Sequence, residues 1–300
     1  MVNSFQLLVE LERYFRLHSS CSALWKPSDC VQPSGSQVSA HSLSSPVVVS
    51  LTTIPDRIHL ILPTLRSLFT QTVSPSAIYL NIPYYSRRQG RSYTIPEKLK
   101  GFRQVKIIRT EQDWGPATKF LPLLEKLPPD SRVIVVDDDQ IYSRRLVETY
   151  VRYSHQYPDA ALGLAGWLVP ERFCHTQRKP IEGARTRLLD RPPNVCKRPK
   201  SVDILQGASS YLIRPRFLTN AVFQYQDAPL AAFFADDVWI SGHLARNRVL
   251  RLVIPGDFQY ARILSLLMLK TLSLSSAENH DGRNNQILYE FFQKDWKTRL

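Results

Sequence analysis

Short apolar runs alternating with stretches of helical spacing constrain this chain more than any other feature. VVVSLT (47–52) precedes IHLILPTLRSLFTQ, and AIYLNI (77–82) comes next. VKIIRT (105–110) then precedes ATKFLPLLEKL, and RVIVVD (132–137) precedes RRLVETYVRYSHQY. Runs of this kind, without polar alternation, read as strands buried on both faces. Strands separated by helices form β-α-β units, so the expected class is α/β with a mostly parallel central sheet and helices on both faces. Further along, ALGLAG (161–166), ILQGASSYLI (204–213) and VLRLVI (249–254) read as strands, and DDVWISGHLARN (236–247) as a helix. In such sheets ligands bind beyond the carboxyl ends of the strands.

The ordered domain is expected to begin near Pro46. Before it, FQLLVELERYFRL has the spacing of an amphipathic helix. Its Glu10, Glu12, Arg13 and Arg16 spoil the uncharged core a secretory signal needs. A Ser-, Pro- and Gln-rich linker follows, so residues 1–45 read as helix plus linker and 46–300 as one domain, with a donor half (46–142) and an acceptor half (143–300). ILSLLMLKTLSL (263–274) is too short to span a bilayer and carries Lys270. These features favour a cytoplasmic chain without fixing its location. Cys21, Cys30, Cys174 and Cys196 form no C-x-x-C pair, which argues against zinc. They read as free thiols or, in an oxidising compartment, as Cys21–Cys30 and Cys174–Cys196 disulfides.

With 39 basic against 26 acidic residues, the formal charge of +13 asks for an anionic partner. A phosphate-rich small molecule fits, as does peripheral contact with an acidic membrane surface. No nucleic acid is expected, because helix-turn-helix, zinc-finger and RNP-type signals are missing. The stretch 171–200 is basic, broken by prolines and without periodicity, and reads as a mobile lid over a site.

Against that basic background, RVIVVDDD ends a buried strand in three carboxylates that repel one another unless something positive sits among them. A hard divalent cation, Mn²⁺ or Mg²⁺, is the ligand such a cluster suits, with a diphosphate completing its shell. A helix cap at Asp139 or Ser143 would explain one acid but not three.

Taken in order, VVSLTTIPDRI, DWGPATKFLPLL, VIVVDDDQIY, GASSYLIRP and FADDVWISGHL resemble the motifs of GT-A glycosyltransferases, close to the family 2-like group, over roughly residues 46–260. The resemblance implies a Rossmann-like nucleotide-sugar domain, a UDP- or GDP-sugar donor, and a carbohydrate, lipid or protein acceptor. It implies an Asp-x-Asp motif at Asp137–Asp139: Asp139 on the metal and Asp137 on the ribose, sugar or metal, with Asp138 between them on the donor side. Thr52 and Thr53 would face the nucleotide, and Arg57 could pair with phosphate. Trp114 would wall the donor, Gly115 would let the backbone approach it, and Lys119 would approach an anion at the start of a helix. In inverting members an acidic pair placed like Asp236–Asp237 supplies the base, here Asp237 with Asp236 as second choice. In an isolated helix such a pair would simply complement the dipole. Gly207, Ala208 and Ser209 would admit a sugar near the backbone, Trp239 and Trp167 could stack on it or lie in the core, and His280 is the candidate metal-binding histidine. The alternatives are a metal-dependent nucleotidyltransferase, for which no Gly-rich phosphate loop is found, and an inactive nucleotide- or carbohydrate-binding relative.

Overall fold

The computed structural model describes residues 45–184, 195–257, 261–262 and 281–296. The amphipathic helix and linker expected before Pro46, the apolar stretch 263–274, Cys21, Cys30 and His280 lie outside the described residues.

The strands are β1 (Val47–Thr52), β2 (Ala77–Pro83), β3 (Val105–Thr110), β4 (Arg132–Val135), β5 (Ala160–Gly163), β6 (Ala165–Leu168), β7 (Lys179–Glu182), β8 (Lys200–Ser201), β9 (Ile204–Leu205), β10 (Tyr211–Ile213) and β11 (Leu250–Val253). The main helices are α1 (Leu62–Phe69), α2 (Leu146–Gln156), α3 (Asp236–Arg246) and α4 (Arg283–Phe291). Eight strands form one sheet in the order β8-β11-β5-β10-β4-β1-β2-β3. β1 to β4 run parallel, as does β11 beside β5, whereas β10 and β8 run antiparallel to their neighbours. The sheet is therefore mostly parallel, as the alternating runs imply.

Side chains alternate across this sheet, and each face has its own core. Val47, Val49, Leu51, Ile78, Ile134 and Leu212 pack against Leu65 and Leu68 of α1 and Leu146, Val147 and Tyr150 of α2. Val48, Val133, Val135, Tyr211 and Ile213 pack on the other face with Trp239 and Leu244 of α3 and Tyr289 and Phe292 of α4. Burial on both faces explains why the strand sequences lack polar alternation.

Several local expectations change. ATKFLPLLEKL does not form an α-helix; residues Gly115–Lys119 and Leu121–Leu123 are separate 3₁₀ turns. Pro116 and Pro122 each lack an amide proton, and a proline inside an α-helix also clashes with the preceding turn. ALGLAG splits at Leu164, leaving β5 in the main sheet and β6 in a three-stranded antiparallel sheet between β7 and β9. ILQGASSYLI splits likewise: β9 joins the small sheet, Gly207–Ser209 makes a 3₁₀ turn, and β10 returns to the main one. The break passes through Ser210, whose φ of 94° lies in the left-handed half of backbone space. Within 171–200, β7, β8 and a 3₁₀ turn at His175–Gln177 replace the expected irregularity, while 185–194 lies outside the described residues. Cys174 and Cys196 are free thiols, not a disulfide. Among the described residues no helix is long and apolar enough to cross a membrane.

Candidate active site

β4 delivers the aspartates to the carboxyl end of the sheet, and neighbouring elements pin the turn that carries them. The Asp137 amide donates to the Tyr142 hydroxyl at 2.8 Å, and Thr64 of α1 donates to the Asp138 carbonyl at 2.8 Å. Burial alternates along the turn: Asp138 is buried, whereas Asp137 and Asp139 are partly exposed. Asp138 is held at both oxygens. Arg57 Nη2 lies 2.6 Å from Oδ1, and the Thr53 hydroxyl donates to Oδ2. The PDR turn after β1 therefore folds Arg57 back onto the second aspartate. At the start of α2 the Ser143 hydroxyl accepts from the Arg145 amide at 3.2 Å, and Arg145, the residue before the helix, makes no side-chain cap.

The second positive charge is Lys119, only 4% exposed. Its ammonium lies 2.9 Å from Asp137 Oδ1 and 2.9 Å from Asp236 Oδ2, joining the two acidic motifs. Burial opposes this charge, but Asp137 and then Asp236 more than offset it, so the lysine pKa rises well above its usual value. The backbone beneath is fixed as well, because the Lys119 carbonyl accepts hydrogen bonds from Ser50 Oγ and Asn81 Nδ2. The expected encounter of Lys119 with a ligand anion is thus replaced by two carboxylates of the protein itself.

Two glycines allow this convergence. Gly115 has φ +62°, and a Cβ there would lie 2.2 Å from the Phe233 carbonyl oxygen. A Cβ on Gly207 would lie 2.7 Å from Lys119 Nζ and 2.8 Å from Asp237 Oδ1. The Gly207 amide donates to that same Asp237 oxygen at 2.8 Å. Asp113 supports the Gly115 turn, accepting from the Gly115 and Arg87 amides at 2.8 Å each. Asp237, at the start of α3, has its pKa raised to about 8 by burial and then by the neighbouring Asp236 charge, with Lys119 pulling the other way.

These groups line one cavity of about 420 Å³. The structure brings Thr52, Thr53, Arg57, Gly115, Lys119, Asp137, Asp138, Asp139, Ala208, Asp236 and Asp237 to its surface. Gly207 borders it through its amide. Three residues expected at the site stand elsewhere. Trp239 is 1% exposed, donates from Nε1 to the Val222 carbonyl and stacks with Phe292, so it belongs to the core. Trp114 packs against Phe223, and Ser209 is not part of the lining. Trp167 does line the cavity. It stands with His175, Thr176, Arg178, Asp281 and Asn285, of which sequence reading singled out none as a site residue. Their signal is weak, because they come from the proline-broken insertion and from a polar stretch before α4. Among the described residues no group of three or more His, Cys, Asp or Glu side chains is placed to hold a metal ion.

Neither a family model nor a curated protein sequence matches the chain. Among solved structures it is similar to residues 1–349 of S. aureus TarS, with a TM-score of 0.47 and 14% identity over 84% of this chain and 72% of that one. A second S. aureus TarS structure matches with a TM-score of 0.45 and 13% identity over 84% of this chain and 44% of that one. GalNAc-T7, crystallised with UDP, GalNAc and Mn²⁺, matches with a TM-score of 0.46 and 13% identity over 72% of this chain and 43% of its own. At identities and TM-scores this low, none of these likenesses bears on substrate or mechanism.

Proposed function

We propose that the cavity binds a nucleoside-diphosphate sugar and transfers the sugar to an acceptor hydroxyl with inversion, as the motif resemblance to GT-A glycosyltransferases implies. What supports the reading is one observation: carboxylates from a strand end, Asp137–Asp139, and from a helix start, Asp236–Asp237, meet in a single cavity around a buried lysine. Five carboxylates would be a poor arrangement for fold stability alone, whereas a transfer site needs one set for the donor and another for the attacking hydroxyl.

Mn²⁺ or Mg²⁺ fits the donor side chemically. Asp138 is committed to Arg57 and Thr53, whereas Asp137, which also meets Lys119, and Asp139 are partly exposed where they line the cavity. One or two carboxylates suffice for an ion that takes its other ligands from water and phosphate. When bound there, it supplies positive charge against the departing diphosphate. Thr52, at the end of β1, and Thr53 after it border the nucleotide side of the cavity, with their hydroxyl protons donated to the Asn81 carbonyl and to Asp138. Asp237 takes the proton of the acceptor hydroxyl as that oxygen attacks the anomeric carbon and the bond to the diphosphate breaks. Its carboxylate is oriented by the Gly207 amide. A pKa lifted toward neutrality makes it a stronger proton acceptor than an ordinary carboxylate.

Asp237→Asn should retain the fold and nucleoside-diphosphate binding while transfer falls ~10²–10⁴-fold, and Asp236→Asn should do less. Asp139→Ala should abolish Mn²⁺-dependent donor affinity, measured by calorimetry with and without EDTA, without unfolding the domain. Wild-type turnover in Asp237→Asn would refute the base, and unchanged metal-dependent affinity in Asp139→Ala would refute the metal site.

A further inference from the structure

A second wall of the cavity is built from parts of the chain that are distant in sequence: Trp167 on β6, His175 in a 3₁₀ turn, and Asn285 in the first turn of α4. It is assembled with care. Gly282, with φ +71°, leaves its Cβ space to the imidazole, since a methyl there would lie 2.3 Å from His175 Cδ2. Trp167 meets the His175 ring edge-on at 79°.

Hydrogen bonds fix the orientation of the histidine ring. Trp167 Nε1 donates to the Tyr289 hydroxyl at 2.8 Å, and that hydroxyl lies 2.7 Å from His175 Nδ1. Burial and then Arg178 hold the His175 pKa down to about 4, which keeps the ring neutral at physiological pH. Asn285 Nδ2 lies 3.2 and 3.1 Å from the two ring nitrogens. Near-equal distances place the amide across the ring face, and both residues line the cavity.

We propose that Trp167, His175 and Asn285 form the acceptor subsite of this cavity, and that it takes a neutral, hydroxyl-rich carbohydrate. The proposal rests on the sugar-transfer reading above. A sugar hydroxyl both donates and accepts, and this wall offers both: the His175 imidazole, the Asn285 amide and the Thr176 hydroxyl. Trp167, 4% exposed, backs the His175 ring from the core side. The wall shares its cavity with Asp237, the base of that reading. An anionic acceptor would meet Asp236, Asp237 and Asp281 in the same cavity, and an aliphatic one would strip water from polar groups without replacing their hydrogen bonds.

The test is saturation-transfer NMR on the full chain with p-nitrophenyl glycopyranosides, sugar phosphates and benzyl alcohol as probes, each with and without UDP and Mg²⁺. Neutral glycosides should bind the wild type. The signal should fall at least tenfold in His175→Phe, which keeps an aromatic ring and loses the ring nitrogens, and recover in part in His175→Gln. Tyr289→Phe, which removes the hydrogen bond that orients the His175 ring, should weaken binding in the same direction. UDP affinity by calorimetry should stay unchanged in all three. No glycoside binding to wild type, preference for the sugar phosphates, or equal binding to folded His175→Phe overturns the subsite. Failure of wild type to bind UDP overturns the donor reading instead, so the two are separable.

Discussion

Replacing Lys119 by methionine tests whether the two acidic motifs are held together by the protein's own cation. The ammonium sits 2.9 Å from Asp137 and 2.9 Å from Asp236. With an effective dielectric near 20, each attraction is about 6 kcal/mol, before several kcal/mol per ion of lost hydration is subtracted. Methionine keeps most of the volume but strands the carboxylates. Removing one partner of a buried ion pair costs about 3–5 kcal/mol, so Lys119→Met should lower stability by that amount at neutral pH.

The sign of the pH dependence is fixed. Without the ammonium the folded-state pKa of Asp237, already raised to about 8, rises further, so the native variant binds more protons than its unfolded chain. Stability then falls with rising pH across the interval between unfolded and folded values. The deficit against wild type should shrink on acidification, as the stranded carboxylates are neutralised, and grow toward pH 8. Urea denaturation of both proteins at pH 5 and pH 8 measures it. A loss under about 1 kcal/mol at pH 8, or one equal at the two pH values, would show that Lys119 is not the counter-ion of this cluster.

Gly207→Ala should fold yet lose most transfer, since the new methyl is aimed at positions 2.7 Å from Lys119 Nζ and 2.8 Å from Asp237 Oδ1; near wild-type initial rates would contradict the packing argument. For kcat/KM, activity should rise with pH up to about 8, where Asp237 becomes the carboxylate. Asp236→Asn removes the second cause of that elevation, so its profile should rise at lower pH. A profile independent of pH between 6 and 9 would count against Asp237 as the base.

The β-α-β core was legible because β1, β2 and β4 are buried on both faces, which writes itself as unbroken apolar sequence. VVVSLT, AIYLNI and the start of RVIVVD needed no other information. The turn of Gly115–Lys119 was not legible as such: Ala117, Thr118 and Lys119 suit a helix, and the buried end of Lys119 is decided by carboxylates distant in sequence. Nor could the run ALGLAG reveal that it changes sheets, because β5 and β6 are both buried and differ only in their partners. Trp239 shows the same limit from the other side. A tryptophan two residues after an acidic pair reads as core somewhat more readily than as platform, and the helical phase of α3 turns it inward against Phe292.

The site divides in the same way. Its acids were legible as clusters, since like charges side by side in a basic chain demand a counter-charge. Their counter-ions were not, because Arg57 and Lys119 lie among 39 basic residues, and only the fold selects these two. Asp138, 4% exposed and gripped by Arg57 and Thr53, anchors the turn, and Asp137 and Asp139 line the cavity beside it. Asp137 shares Lys119 with Asp236, so one ammonium joins the two carboxylate sets. A chain that places its only buried cavity lysine between the two carboxylate sets, among the described residues, makes the charge of each set sensitive to occupancy of the other. On that arrangement, a cation drawn to Asp137 would loosen Lys119 toward Asp236 and favour the ionised form of Asp237, the form that accepts a proton.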